Sequence, residues 1–179
     1  MFMIIVASLA ATDLRVRPVE WAQPVIGSSV GNFYRVSDGL YRSEQPGTDG
    51  FSELSSLGIG EVLNLREFHS DDDEASATRM TLHRIAIDTG ALNETQLTEA
   101  LKIITHRKAP LLVHCWHGSD RTGAVIAAYR MVVEGWPRRQ AIDEFRNGGF
   151  GYHETFYPDI VALLETLDVE AIRRRIDLK

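Results

Sequence analysis

The chain predicts a single α/β domain with a mostly parallel central sheet of four to five strands flanked by helices. Three observations carry this. Short apolar runs alternate with segments of helical periodicity, the pattern of a parallel sheet covered on both faces. Glycine or proline punctuates most of the junctions between them. Finally, 179 residues with 44% hydrophobic and 25% charged side chains suit one globular domain with a substantial core.

Residues 1–11 are apolar, with small side chains at Ala7, Ser8, Ala10 and Ala11 and no basic residue before Arg15. They read as an N-terminal strand or tail, or as the remainder of an export signal, and are too short to span a bilayer. Residues 1–20 are therefore set apart from a domain over 21–179. Within 12–31, Pro18, Pro24, Gly27 and Gly31 mark a lead-in that wraps the domain. Residues 33–36 and 39–42 read as a strand pair turned at Ser37, Asp38 and Gly39. After Pro46 and Gly47, Thr48 is a candidate cap for a helix carrying Phe51, Leu54 and Leu57, which Gly58 and Gly60 end. Residues 61–65 form a short strand, and Arg66 leaves it at the end where open α/β sheets bind ligands. Arg66 reads either as a phosphate contact or as an ion-pair partner of Asp71, Asp72, Asp73 and Glu74, a run that itself reads as a solvated loop. Residues 80–87 form another strand, Asp88-Thr89-Gly90 a turn, and Asn93 caps a helix to about His106. Helices follow over 122–134, 137–147, 155–167 and 169–176, with Pro137 in a first turn. Trp136 and Phe150 read as core.

The chemistry lies in residues 111–123. The apolar run Leu111, Leu112, Val113 delivers the only cysteine, Cys115, into a loop that ends at Arg121 and opens a helix at Thr122. Five residues separate Cys115 from Arg121, enough for a bowl whose backbone N–H groups point inward. With the N-terminus of the following helix, that bowl is an anion site of phosphate size. Arg121 closes it, since a guanidinium holds two phosphate oxygens in a planar fork. These positive surroundings favour the thiolate of Cys115, the nucleophilic form. Gly118 permits a tight turn, Gly123 lets the helix start approach the strand, and Thr122 offers its hydroxyl to the sulfur. Trp116, His117, Gly118 and Ser119 supply the substrate-binding rim, where His117 would add positive charge for a polyphosphorylated ligand. His114 reads as a hydrogen-bonder behind the loop. A lone cysteine is often only a small core residue, but His114, the five-residue gap, Arg121, Thr122 and Gly123 together favour catalysis.

His-Cys-x5-Arg-Thr-Gly resembles the signature of the cysteine-dependent phosphatases, and the flanking chain resembles their small bacterial dual-specificity and tyrosine phosphatase group. Asn-Phe-Tyr-Arg-Val-Ser at 32–37, Leu-Tyr-Arg-Ser-Glu-Gln-Pro at 40–46, Leu-Asn-Leu-Arg at 63–66, and the segments 129–136 and 148–151 carry the likeness. It covers most of the chain after Trp21. The resemblance implies a dual-specificity phosphatase-like fold that hydrolyses phosphoric monoesters through a phosphocysteine intermediate, with no metal and no cofactor. The substrate it implies is a phosphorylated protein or a small phosphorylated metabolite, inositol phosphates included, and it places Arg66 near the pocket. Related bacterial phosphatases are often exported and residues 19–24 resemble the start of their mature chains, which favours the periplasm over the cytoplasm.

Such an enzyme needs an acid for the leaving oxygen, and the same group then serves as base toward water. Asp88 follows a strand, where the resembled group places its acid, although Ala86 stands where that group has proline. Asp120 lies beside Arg121, as in phosphoinositide-type cysteine phosphatases whose loops end in Asp-Arg-Thr. Position next to the phosphate favours Asp120; the competing readings are a turn-former for Asp88 and a brace for Asp120.

Composition narrows the field. A net charge of -6 argues against nucleic acid and anionic membrane as broad partners. One cysteine excludes an internal disulfide, a Cys-rich zinc site and a two-cysteine relay, and the lack of a resolving cysteine argues against arsenate reduction. A rhodanese-like sulfurtransferase and a non-catalytic phosphate-binding module remain as rivals. A thiolate without a partner cysteine should also oxidise readily beyond the sulfenic stage in peroxide.

Overall fold

The computed structural model describes residues 17–178. The apolar segment 1–11 and its reading as an export signal lie outside the described residues. Six strands form one sheet: β1 (Gln23–Pro24), β2 (Tyr34–Ser37), β3 (Leu40–Ser43), β4 (Glu61–Arg66), β5 (Thr81–Ile87) and β6 (Leu111–His114). Their order is β1-β2-β3-β6-β4-β5. β3, β6, β4 and β5 run parallel, while β1 and β2 extend the β3 edge antiparallel. The strand beyond the four to five expected comes from the lead-in: Gln23 and Pro24 pair with Arg35 and Tyr34. A two-residue strand containing proline carries no alternation to read, and at a sheet edge proline is tolerated.

Helices cover both faces: α1 (Thr48–Ser56), α2 (Glu94–His106), α3 (Asp120–Val132), α4 (Arg138–Asn147), α5 (Asp159–Thr166) and α6 (Val169–Arg175). Alternation within the strands feeds two separate cores. Leu63, Leu65, Leu111 and Val113 join the larger one, with α2 to α6. Val62 and Leu112 face the smaller one, with Phe51 and Leu54 of α1. α3 is buried at every residue except Arg121, which explains its apolar sequence without amphipathic periodicity.

Local chemistry sets most of the boundaries. Asn93 caps α2 through a reciprocal capping box with Gln96. Thr48 does not cap α1: Gly47 is the N-cap and no side chain bonds there. Leu57 lies past that helix and is exposed, leaving Phe51 and Leu54 as its core contacts. α3 begins at Asp120, two residues before the start read from sequence, so Arg121 is helical. α5 begins only at Asp159, because Pro158 is tolerated at the helix entry while residues 154–156 form turns.

Candidate active site

The central strand β6 lies between the parallel strands β3 and β4, so the ends of all three open into one crevice at their carboxyl edge. Cys115 follows β6 there and is 2% exposed. Behind it, the fully buried His114 donates from Nε2 to Asp71 Oδ2 at 2.9 Å, and its Nδ1 lies 3.2 Å from Cys115 O. Asp71 Oδ1 accepts from Gln45 Nε2 at 2.8 Å. Burial works against the ionised carboxylate of Asp71, but the bond and charge of His114 and the bond from Gln45 outweigh it, holding this carboxyl below its usual range. The solvated-loop reading of the acidic run therefore fails at Asp71, which is 3% exposed. Its contact with His114 crosses 43 residues, and no local spacing reports it.

The loop is pressed tightly against β3. Gly118 adopts φ +69°, and a Cβ there would stand 2.4 Å from the carbonyl oxygen of Ser43. Only glycine fits that approach in that conformation. The carbonyls of Trp116, His117 and Gly118 each accept a hydrogen bond from outside the loop, from Gln45 N, Asn32 Nδ2 and Arg42 Nη2. By contrast, the backbone N–H groups of Trp116, His117, Gly118 and Ser119 donate to nothing among the described residues. Those donors sit between Cys115 and Arg121.

Arg121 leans across the carboxyl ends of two strands, donating from Nη1 to Ile87 O at 3.1 Å and Leu65 O at 3.4 Å. Its Nε is buried without a hydrogen-bond partner among the described residues. Thr122 Oγ1, expected to reach the sulfur, is likewise buried and makes no hydrogen bond among the described residues. Gly123 packs against a different element than expected: a Cβ there would meet Phe145 of α4 at 2.4 Å, so it lets α3 and α4 approach. Arg66 makes no ion pair with the acidic run. It stacks over Trp116 at 4.1 Å and donates to Gln45 Oε1 at 3.0 Å, and burial together with Arg121 lowers its pKa.

An open cleft of about 420 Å³ fronts the loop, lined by Trp116, His117, Asp120, Arg121, His153 and Phe156 among others. Asp120 is 7% exposed and accepts from His153 N at 2.9 Å and from His153 Nδ1 at 2.9 Å. His153 was not legible as a site residue; it follows Gly151 by two positions in a segment without periodicity. Asp88 is exposed just past β5, where it caps a short 3₁₀ turn by accepting from Gly90 N at 3.0 Å. Its neighbour Thr89 also lines the cleft.

A parallel sheet whose central strand ends in a cysteine loop, closed by an arginine in the first turn of a buried helix, defines the dual-specificity phosphatase type of α/β domain. The chain belongs to the tyrosine phosphatase family, whose description matches residues 29–165. It is similar to the dual specificity protein phosphatase TpbA of Pseudomonas aeruginosa, at 34% identity over 168 residues, 92% of this chain and 74% of the relative. A crystal structure of a TpbA variant in complex with pTyr superposes with a TM-score of 0.81 at 29% identity, covering 92% of this chain and all of that one. The rice (Oryza sativa) inositol diphosphatase DSP2 is more distant in coverage, 31% identical over 125 residues, 65% of this chain and 61% of its own. Membership of a phosphatase family displaces the sulfurtransferase rival. Among the described residues no helix is long and apolar enough to cross a membrane.

Proposed function

We propose that this chain hydrolyses phosphotyrosine in proteins, with Cys115 as nucleophile. The observation that carries the reading is the run of undonated N–H groups from Trp116 to Ser119, held between Cys115 and Arg121. Amides in this arrangement bind the three equatorial oxygens of a phosphoryl group, and Arg121 takes two of them once it turns from the Leu65 and Ile87 carbonyls. Cys115 attacks phosphorus in line with the leaving oxygen, forming a phosphocysteine, and water then releases phosphate. Because the transition state is loose, positioning and charge complementarity do most of the work. The aromatic rim of Trp116 and Phe156, 55% and 77% exposed, suits an aryl phosphate and the neighbouring residues of a peptide.

Asp88 is the acid in this reading, with Asp120 as the brace. The carboxylate of Asp120 is engaged by two N–H groups of His153, whereas Asp88 is exposed and uses one oxygen locally. An acid must be free to meet the leaving oxygen, and Asp88, next to Thr89 of the cleft lining, is the less engaged of the two carboxylates. Asp88→Asn should slow turnover of an aryl phosphate with a poor leaving group by about 10²–10⁴-fold and remove the alkaline limb of its pH profile. If Asp120→Asn does this instead, the two roles exchange.

A panel of phosphotyrosyl peptide, phosphoseryl peptide and inositol phosphates, with Cys115→Ser as control, tests the substrate. Preference for the inositol phosphates would overturn the protein substrate in favour of the chemistry named in the rice relative. Vanadate binding with no hydrolysis of any aryl phosphate would make the chain a binding module.

A further inference from the structure

Three successive loop carbonyls are drawn outward by groups from elsewhere in the fold. Trp116 O accepts from Gln45 N at 3.0 Å, His117 O from Asn32 Nδ2 at 2.8 Å, and Gly118 O from Arg42 Nη2 at 2.6 Å. In a trans peptide the carbonyl of one residue and the N–H of the next point in opposite directions, and no peptide bond among the described residues is cis. A donor that holds His117 O outward therefore turns the Gly118 N–H inward. Arg42 does the same for the Ser119 N–H.

We propose that Asn32 and Arg42 are positioning residues that aim the Gly118 and Ser119 amides at the substrate phosphate. The inference rests on the phosphatase reading above and adds the groups that shape its anion site. Neither residue is among those that line the cleft in front of the loop. Asn32 holds φ +50°, a conformation few residues other than glycine adopt, and from there Nδ2 donates both to His117 O and, at 2.9 Å, to Phe150 O. Ser119 Oγ donates to the same Phe150 carbonyl at 2.7 Å, so one turn anchors the loop and its brace. Arg42 is 1% exposed, with its guanidinium 3.6 Å from the centroid of the Phe150 ring. Burial pulls its pKa down to about 10, which leaves it charged at neutral pH beneath the loop. A buried cation that spends a hydrogen bond on one carbonyl is costly to keep for packing alone.

The test compares wild type with Asn32→Gly, Asn32→Asp and Arg42→Lys by vanadate inhibition constant, aryl phosphate turnover and thermal midpoint. Glycine keeps the backbone conformation and removes only the side-chain donor. Asn32→Gly should weaken vanadate binding by about ten-fold or more while the midpoint stays near wild type. Asn32→Asp should lose more, because a carboxylate would face two carbonyl oxygens, and Arg42→Lys should fall between, keeping the charge without the planar fork. On the wild-type protein, titration with inorganic phosphate should move the amide proton resonances of Gly118 and Ser119 downfield. Vanadate affinity within about two-fold of wild type in both folded Asn32 variants would overturn the proposal. So would unmoved Gly118 and Ser119 amides at saturating phosphate, a readout that stands even where a variant fails to fold. Failure of the phosphatase reading shows separately, as a wild-type protein that neither binds vanadate nor turns over an aryl phosphate.

Discussion

Gly118 shows how far one residue can decide the site. Its φ of +69° and the 2.4 Å that would separate a Cβ from Ser43 O leave no room for any side chain. Gly118→Ala should cost about 1–3 kcal/mol in backbone strain. The larger effect should be on chemistry, because relief of the clash lifts the loop from β3 and swings its amides. Loss of one such preorganised donor costs about 10²–10³ in kcat. Turnover of an aryl phosphate should thus fall by at least that factor in a protein that still unfolds cooperatively, as urea denaturation would show. Equal losses of stability and turnover, each recovered on cooling, would mean that the glycine serves the fold alone. Gly118 could be singled out from the sequence, since it lies within the Cys115–Arg121 interval. What it packs against could not, because Ser43 is distant in the chain and the contact is with backbone.

At the scale of elements, legibility followed the range of the interaction. The cap of α2 at Asn93, the strand read at 61–65 and observed one residue longer, and the buried helix α3 rest on neighbours within a few residues, and each was visible as a local pattern. The brace behind the cysteine loop was not. Asp71 belongs to an acidic run, and only the folded chain brings it to His114 and Gln45. The physical consequence is a pH dependence. The carboxyl of Asp71 lies below its unfolded value of 3.8, so the folded state binds its proton less well than the unfolded state does. Its contribution to stability is therefore complete above that unfolded value and is lost as the pH falls through the lower folded one. Asp71→Asn should remove this component. Urea midpoints measured from neutral pH down into the acid range should fall less steeply in the variant than in wild type, and parallel curves would assign the acid lability to other carboxylates.

For the whole molecule, alternation of strands and helices was enough to read the class of fold, because apolar central strands have to be covered on both faces by the helices between them. Sheet order was not readable, since β6 inserts between β3 and β4 through pairings that no nearby residues encode. Nor was the polar clasp that ties the periphery to the central helix. Arg130 of α3 donates from Nε and Nη2 to Glu144 of α4 at 2.7 and 2.9 Å, and from Nη1 to Glu134 at 2.7 Å. Glu144 Oε1 also accepts from the backbone of Ala22 at 2.6 Å, drawing the lead-in against the core. Arg130 and Glu144 are each only 2% exposed, so breaking the pair leaves the buried guanidinium with only the more exposed Glu134 to compensate it. Glu144→Gln should destabilise the protein by about 3–5 kcal/mol, whereas Arg130→Met with Glu144→Leu should recover much of that loss. Recovery would be incomplete, because Ala22 N–H still lacks its acceptor. Chemical denaturation of both variants decides the matter: a double variant as unstable as Glu144→Gln would mean that the clasp contributes net attraction, and that two charges in this interior are worth more than the apolar surface able to replace them.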